Sequence, residues 1–245
     1  MPIAVSKIII TTSITARGLI YILYHLERAN VFCHNQRMFG LSPEELAIFK
    51  ELTTPHKIQD YLDTIPANLS KRGDTCFSPR MVLEKGRAHC IEGALIAATA
   101  LWMHGEKPLL LDLKALDIDY DHVVALYKKN GYWGAISKTN HPVLRFRDPV
   151  YKSPRELALS YFHEYTFPKT GQKTLRSYSR PFSLKKFGTD WITSEKHLWD
   201  IALALDDFPH YPIVPKGQEK FIRDLSDIEL TASKLSEWER KDPRT

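Results

Sequence analysis

Cysteine is scarce in this sequence and forms no recognisable pairing pattern. The 245 residues contain three cysteines, Cys33, Cys76 and Cys90. Their number is odd, their spacing is wide and no C-x-x-C pair occurs, which excludes the disulfide framework of small secreted domains. We therefore expect reduced thiols and a cytoplasmic location.

Signals for cofactors and metals are also missing. No glycine-rich phosphate loop occurs, because the stretch GYWGAIS at 131–137 lacks the strand-turn-helix context that such a loop needs. The possible metal ligands match no zinc-finger or deaminase spacing. These ligands are Cys76, His89, Cys90 and His122. We expect neither a metal nor a cofactor.

Positive charge is not concentrated in any one place. Lys and Arg number 34 against 29 Asp and Glu, a net charge of +5, so nucleic acid is not an expected partner. The basic stretch at 173–188 is predicted to be a solvated loop. Residues 8–26 are apolar, but Arg17, His25 and the lack of a small-residue cleavage site argue against a membrane span or signal peptide. No membrane partner is expected.

The sequence does contain helix signals followed by strand signals. A Ser or Thr cap followed by proline predicts helices at 42–52, 54–66 and 153–166. Short runs rich in Leu, Val, Tyr and Trp predict strands between 107 and 151. Helices followed by antiparallel strands indicate an α+β domain.

Three segments are distinguished by the patterning. Residues 1–37 form an unassigned N-terminal extension, because organised patterning begins just after Met38, which is an alternative start of the natural product. The core is predicted to span 38–166. Residues 167–245 are predicted to be a C-terminal helical extension that packs on this core. Its two predicted helices lie at 194–206 and 218–240.

The dipeptide Asn130-Gly131 gives the strongest local prediction. Both residues adopt positive φ readily, so their position between two alternating runs predicts a two-residue hairpin turn. In that register His122 shares one face of the ribbon with Ser137 and Thr139. A slip of one residue would bring Asn140 alongside instead.

A helix that begins near Cys90 carries a stripe of small side chains. The positions 90, 93, 94, 97 and 98 are Cys, Gly, Ala, Ala and Ala. Gly93 costs about 1 kcal/mol of helix stability relative to Ala, so we expect it to permit close approach of a sheet. The helix N-terminus favours the thiolate of Cys90. Glu92 is predicted to point away from the thiol, and His89 to lie on the surface.

A helical cysteine that faces a strand histidine, with a polar group on the next strand, is a nucleophile-base-orienter arrangement. With the cysteine first in the chain, the histidine second and the third polar residue last, residues 54–151 resemble the transglutaminase-like branch of the papain-type cysteine enzymes. The resemblance rests on RAHCIEGALIAATAL, around Cys90, and on DHVVALYKKNGYWGAIS, which begins at Asp121. The family places an aspartate on the next strand, shortly after a tryptophan. Counted from Trp133, that position is Ser137.

The resemblance implies a papain-like, transglutaminase-like α+β core in which the Cys-bearing helix packs on an antiparallel sheet. It implies thiol-dependent acyl transfer or amide hydrolysis on a peptide, protein or small amide, with Cys90 as nucleophile and His122 as base. Ser137 occupies the third position without the charge of an aspartate, and Thr139 and Asn140 are possible substitutes. A second hypothesis is a catalytically impaired member that acts as a binding or scaffolding module.

Overall fold

The structure, a computed structural model, describes residues 39–70 and 75–239. The unassigned extension 1–37 and the alternative start at Met38 therefore lie outside the described residues. Within the described ranges, no helix combines the length and the apolar character that crossing a membrane would require.

Helices begin where the sequence places a cap residue before a proline. The side chains of four such caps each accept a hydrogen bond from the N–H three residues on; these caps are Ser42, Thr54, Ser78 and Ser153. The α-helices in the described part of the chain are α1 (Pro43–Glu51), α2 (Pro55–Thr64), α3 (Pro79–Lys85), α4 (Cys90–Met103), α5 (Pro154–Ser160), α6 (Trp199–Asp206) and α7 (Asp227–Ser233).

An antiparallel sheet lies between the helices. Its strands are β1 (Leu109–Ala115), β2 (His122–Lys129), β3 (Tyr132–Ile136), β4 (Arg147–Tyr151), β5 (Leu175–Ser179), β6 (Phe182–Ser183) and β7 (His210–Pro212). Their order is β4-β3-β2-β1-β5-β7, and β6 also pairs with β1. The class is therefore α+β, as predicted.

The β2–β3 hairpin has the predicted turn and register. Asn130 and Gly131 have φ values of 50° and 89°, which is the geometry of a two-residue turn with positive φ at both central positions. Lys129 pairs with Tyr132, and Ala125 pairs with Ile136. This register fixes which residues follow β3 on the face of His122.

Helix α4 packs on one face of the sheet and α5 on the other. Side chains of α4 share a buried cluster with Val123 and Ala125 of β2, whereas Val124 and Leu126 belong to the cluster that contains Leu157 of α5. This alternation follows from the two-residue period of a strand. The prediction of a Cys-bearing helix packed on an antiparallel sheet is confirmed.

The prediction of a solvated loop at 173–188 is wrong, since this stretch contains β5 and β6. Leu175, Tyr178 and Phe182 point into the core between the basic residues. The C-terminal part therefore adds strands to the same sheet, where only helices were expected. The predicted helices at 194–206 and 218–240 are shorter, Trp199–Asp206 and Asp227–Ser233. The boundary at residue 166 stays a prediction.

Candidate active site

Cys90 is the first residue of α4, and His89 is the N-cap. The thiol is partly exposed and borders a cleft of about 650 Å³, which we call the main cleft. His122, Asn140 and Tyr165 also line this cleft. The first N–H groups of a helix have no intrahelical partner, so an anionic atom at this position faces unpaired donors.

Two histidines act on the thiol of Cys90 and favour its ionised form. One is His122 at the start of β2, and the other is the adjacent His89. Burial opposes ionisation, but the hydrogen bonds from these two imidazoles outweigh it and lower the pKa of Cys90 well below its ordinary value. The site therefore favours a thiolate paired with imidazolium.

Ser137 contacts the imidazole of His122. The His122 Nε2 lies 2.8 Å from the Ser137 Oγ, and this hydroxyl donates its own proton to the carbonyl oxygen of Leu144 at 2.6 Å. Because the Ser137 proton is committed, its oxygen accepts from the Nε2–H of His122. The other ring nitrogen, Nδ1, is left for the thiol of Cys90.

The position of Ser137 is fixed from α2. The side-chain amide of Gln59 donates to the carbonyl oxygen of Ser137 at 2.8 Å, and its Oε1 accepts from the Ser137 N–H at 2.9 Å. Gln59 is itself buried. Such a pair of hydrogen bonds holds the backbone as a neighbouring strand would, just beyond the end of β3.

The two alternative third residues are engaged elsewhere. The Oγ1 of Thr139 accepts from the N–H of His141 at 3.2 Å. The Asn140 amide pairs with the backbone of Trp238, donating to its carbonyl at 2.9 Å and accepting from its N–H at 2.8 Å. The described geometry thus brings Ser137, rather than Thr139 or Asn140, to His122.

His89 is not the surface residue expected from the sequence. Its side chain is 18% exposed, and its Nε2 lies 2.8 Å from the carbonyl oxygen of Thr75 and 3.3 Å from the Oε1 of Glu92. Burial disfavours the charged ring, yet the hydrogen bond with Cys90 and the charges of Cys90 and Glu92 raise the pKa of His89 to about 9. His89 is therefore a cation at neutral pH.

Glu92 is fully buried. Its carboxylate accepts hydrogen bonds from four donors besides its contact with the His89 ring. The donors are the amide of Asn68 at 3.1 Å, the hydroxyl of Thr75 at 2.8 Å, the N–H of Phe77 at 3.0 Å and the N–H of His89 at 2.9 Å. A glutamate three residues after a helix cap is a sequence signal for such back-bonding.

One group of described residues has the spacing of metal ligands. Asp112, Asp121 and Asp206 offer carboxylate oxygens within 4.8 Å of one another. These three aspartates lie far apart in the sequence and on separate elements, so no local spacing indicates the group. Lys114 pairs with Asp206, and His210 pairs with Asp112.

Comparison with known proteins gives a distant likeness. No family model matches the chain, and no curated protein does. Legionella pneumophila LapG, in an EGTA-treated form, is a solved structure similar to this chain. The likeness covers 67% of this chain and 94% of that one, at 11% identity and a TM-score of 0.35. The site is therefore interpreted from its own geometry.

Proposed function

We propose that this protein catalyses thiol-dependent acyl transfer or amide hydrolysis. The observation that carries the proposal is the position of His122, whose imidazole lowers the pKa of the Cys90 thiol while its Nε2 lies 2.8 Å from the Ser137 Oγ. A nucleophile, a base and a group that orients the base are the parts that covalent acyl transfer requires. The substrate is a peptide, a protein or a small amide that enters the main cleft.

The reaction begins with the attack of the Cys90 thiolate on the carbonyl carbon. The negative oxygen of the tetrahedral intermediate is stabilised at the N-terminus of α4, where the N–H of Cys90 is one donor. Protonated His122 gives its proton to the leaving amine, and a thioester forms. Neutral His122 then takes a proton from water or an acceptor amine, which attacks the thioester and releases Cys90.

The negative charge that an aspartate would supply comes from α4 in this proposal. Ser137 orients His122 without adding charge, whereas Glu92 supplies a buried carboxylate next to His89. His89, whose pKa is raised to about 9, places a positive charge next to both this carboxylate and the Cys90 thiolate. This balance favours the ion pair within a largely buried group of side chains.

A non-catalytic binding module is the second candidate, and one observation favours it. The group on the His122 Nε2 is the hydroxyl of Ser137, which donates its proton to Leu144 and supplies no negative charge to the imidazole. A weakened base would leave the main cleft able to bind a peptide without cleaving it.

The rate of alkylation of Cys90 by iodoacetamide across pH distinguishes the two candidates. An ordinary thiol is only a few per cent ionised at pH 7, so we expect Cys90 to react about tenfold faster than an unfolded cysteine peptide. His122→Ala is expected to remove most of this advantage, and His141→Ala, which alters another histidine of the main cleft, is expected to retain it. Peptide mass spectrometry assigns the modified cysteine. A wild-type rate equal to that of the free peptide would overturn the enzyme proposal.

A further inference from the structure

A second cavity borders Cys90 and His89. It has a volume of about 210 Å³ and includes Asp112, Asp121 and Asp206 in its lining, so we call it the acidic cavity. Cys90 and His89 line both this cavity and the main cleft. A group bound in the acidic cavity would therefore lie beside the reacting sulfur.

Each of the three carboxylates already has one oxygen held by a donor of the protein. Asp112 Oδ2 lies 3.1 Å from His210 Nε2. Asp121 Oδ1 accepts from the backbone N–H of Ala115 at 2.8 Å, and Asp206 Oδ1 accepts from Lys114 Nζ at 2.6 Å. These contacts fix the orientation of the carboxylates. The second oxygen of each carboxylate takes no part in them.

Asp112 provides an independent indication of a ligand site. The residue is 3% exposed, and its Oδ1 has no hydrogen-bond partner among the described residues. An unpaired buried carboxylate oxygen is costly. Because Asp121 and Asp206 lie against the same space, a positively charged donor would relieve both the missing hydrogen bond and the repulsion among the three charges.

His89, Thr75 and Tyr120 also line the acidic cavity, and its other walls are apolar and partly aromatic. They include Ile91, Val123, Trp199, Ala202 and Leu205. Such walls suit an alkyl stem that ends in a charge, as in a lysine or arginine side chain, and the face of Trp199 suits a cation. A calcium ion would instead require six to eight oxygen ligands. The chain's own Lys114 already places an ammonium group on Asp206.

We propose that the acidic cavity is a subsite for a basic substrate side chain, lysine or arginine, next to the acyl group that Cys90 attacks. This inference rests on the proposed function and names its substrate class. The ammonium or guanidinium group would donate to Asp112 Oδ1 and to the free oxygens of Asp121 and Asp206. The alkyl stem would pass Trp199 and emerge beside Cys90.

Two thiol reagents of the same size test this subsite on the full chain. Aminoethyl methanethiosulfonate ends in an ammonium group, and propyl methanethiosulfonate ends in a methyl group at the same position. In both reagents the Cys90 thiolate attacks the sulfur that carries the aminoethyl or propyl group. A disulfide to that group forms, the bond between the two reagent sulfurs breaks and methanesulfinate leaves. The rate ratio of the two reagents, divided by the ratio for free cysteine, measures the preference for a cation.

We expect the wild-type protein to favour the aminoethyl reagent by about tenfold or more. Asp121→Asn and Asp206→Asn should each reduce this preference at least about threefold. Asp207→Asn makes the same charge change at the adjacent exposed position and should leave the preference unchanged. Thermal melting checks that each variant is folded.

The outcomes separate the two proposals. If Cys90 reacts with neither reagent faster than free cysteine does, the proposed function fails. If it reacts fast but Asp121→Asn and Asp206→Asn leave the ratio unchanged, only the subsite is overturned. A preference that disappears in excess Ca²⁺ and returns with EDTA would identify a metal site and would also overturn the subsite.

Discussion

Gly93 allows α4 to approach Lys138, which follows Ser137 just beyond the end of β3, and Gly93→Ala tests how rigid that contact is. A methyl group at this position would overlap the Cβ of Lys138 and lie 3.0 Å from its Cγ. Lys138 has little freedom to move, because it is 2% exposed and its Nζ donates to the carbonyl oxygen of Ile65. The structure therefore predicts steric conflict in spite of the better helix propensity of alanine.

The size of the effect follows from two opposing contributions. Alanine improves helix propensity by about 1 kcal/mol, whereas overpacking a rigid core costs about 1–3 kcal/mol. The upper part of that range applies, since the overlapping atom is the Cβ of Lys138 and is fixed to the backbone. We expect a net loss of about 1–2 kcal/mol in the free energy of unfolding. The displaced helix should also slow alkylation of Cys90 at pH 7.

Urea denaturation followed by tryptophan fluorescence measures this loss. In a Lys138→Gly background the obstructing side chain is absent, so Gly93→Ala should cost less there than in the wild type. A Gly93→Ala variant that is more stable than the wild type, with Cys90 as reactive as before, would refute the reasoning.

Three further substitutions test separate parts of the site. Glu92→Gln should lower the free energy of unfolding by about 3–5 kcal/mol in urea denaturation, because it removes a buried charge partner. Glu156, like Glu92, lies three residues after a helix N-cap. Its helix start is exposed, so Glu156→Gln should change the free energy of unfolding by less than about 0.5 kcal/mol. Ser137→Ala should raise the pH midpoint of Cys90 alkylation without unfolding the protein, and an unchanged midpoint would deny Ser137 an orienting role. Burial raises the pKa of Asp121 to about 6, so the folded state holds this proton more tightly than the unfolded state, and stability falls as pH rises from about 4 to about 6. Asp121→Asn should therefore gain stability relative to wild type across that window in urea titrations, and a constant difference would contradict the assigned shift.

Local signals in the sequence predicted the parts of the site that depend on one element or one hairpin. The cap-proline pairs placed helix starts, and Asn130-Gly131 fixed the register that brings Ser137 to His122. The small stripe around Gly93 indicated a close contact, which Lys138 makes. Each of these predictions needed only the period of a helix or a strand.

The rest of the site depends on contacts between distant segments. The side chain of His89 turns inward because the carbonyl of Thr75 accepts from it, and nothing near His89 in the sequence indicates that neighbour. The acidic cavity draws Asp112 and Asp206 from a strand and a helix far apart in the chain. Strand β5 was missed for the same reason, since burial along it does not alternate and its pairing with β1 contains a register shift.

The environment of Cys76 has a consequence for oxidation. Burial raises the pKa of this thiol to about 12, and its Sγ donates to the carbonyl oxygen of Leu198. The thiolate character that activates Cys90 also exposes it to peroxide, which converts a thiolate first to a sulfenic acid. A protonated, inaccessible thiol such as Cys76 does not trap that acid as a disulfide. Among the described residues Cys76 therefore does not protect Cys90, and an unresolved sulfenic acid at Cys90 is open to further oxidation by peroxide to the irreversible sulfinic and sulfonic acids.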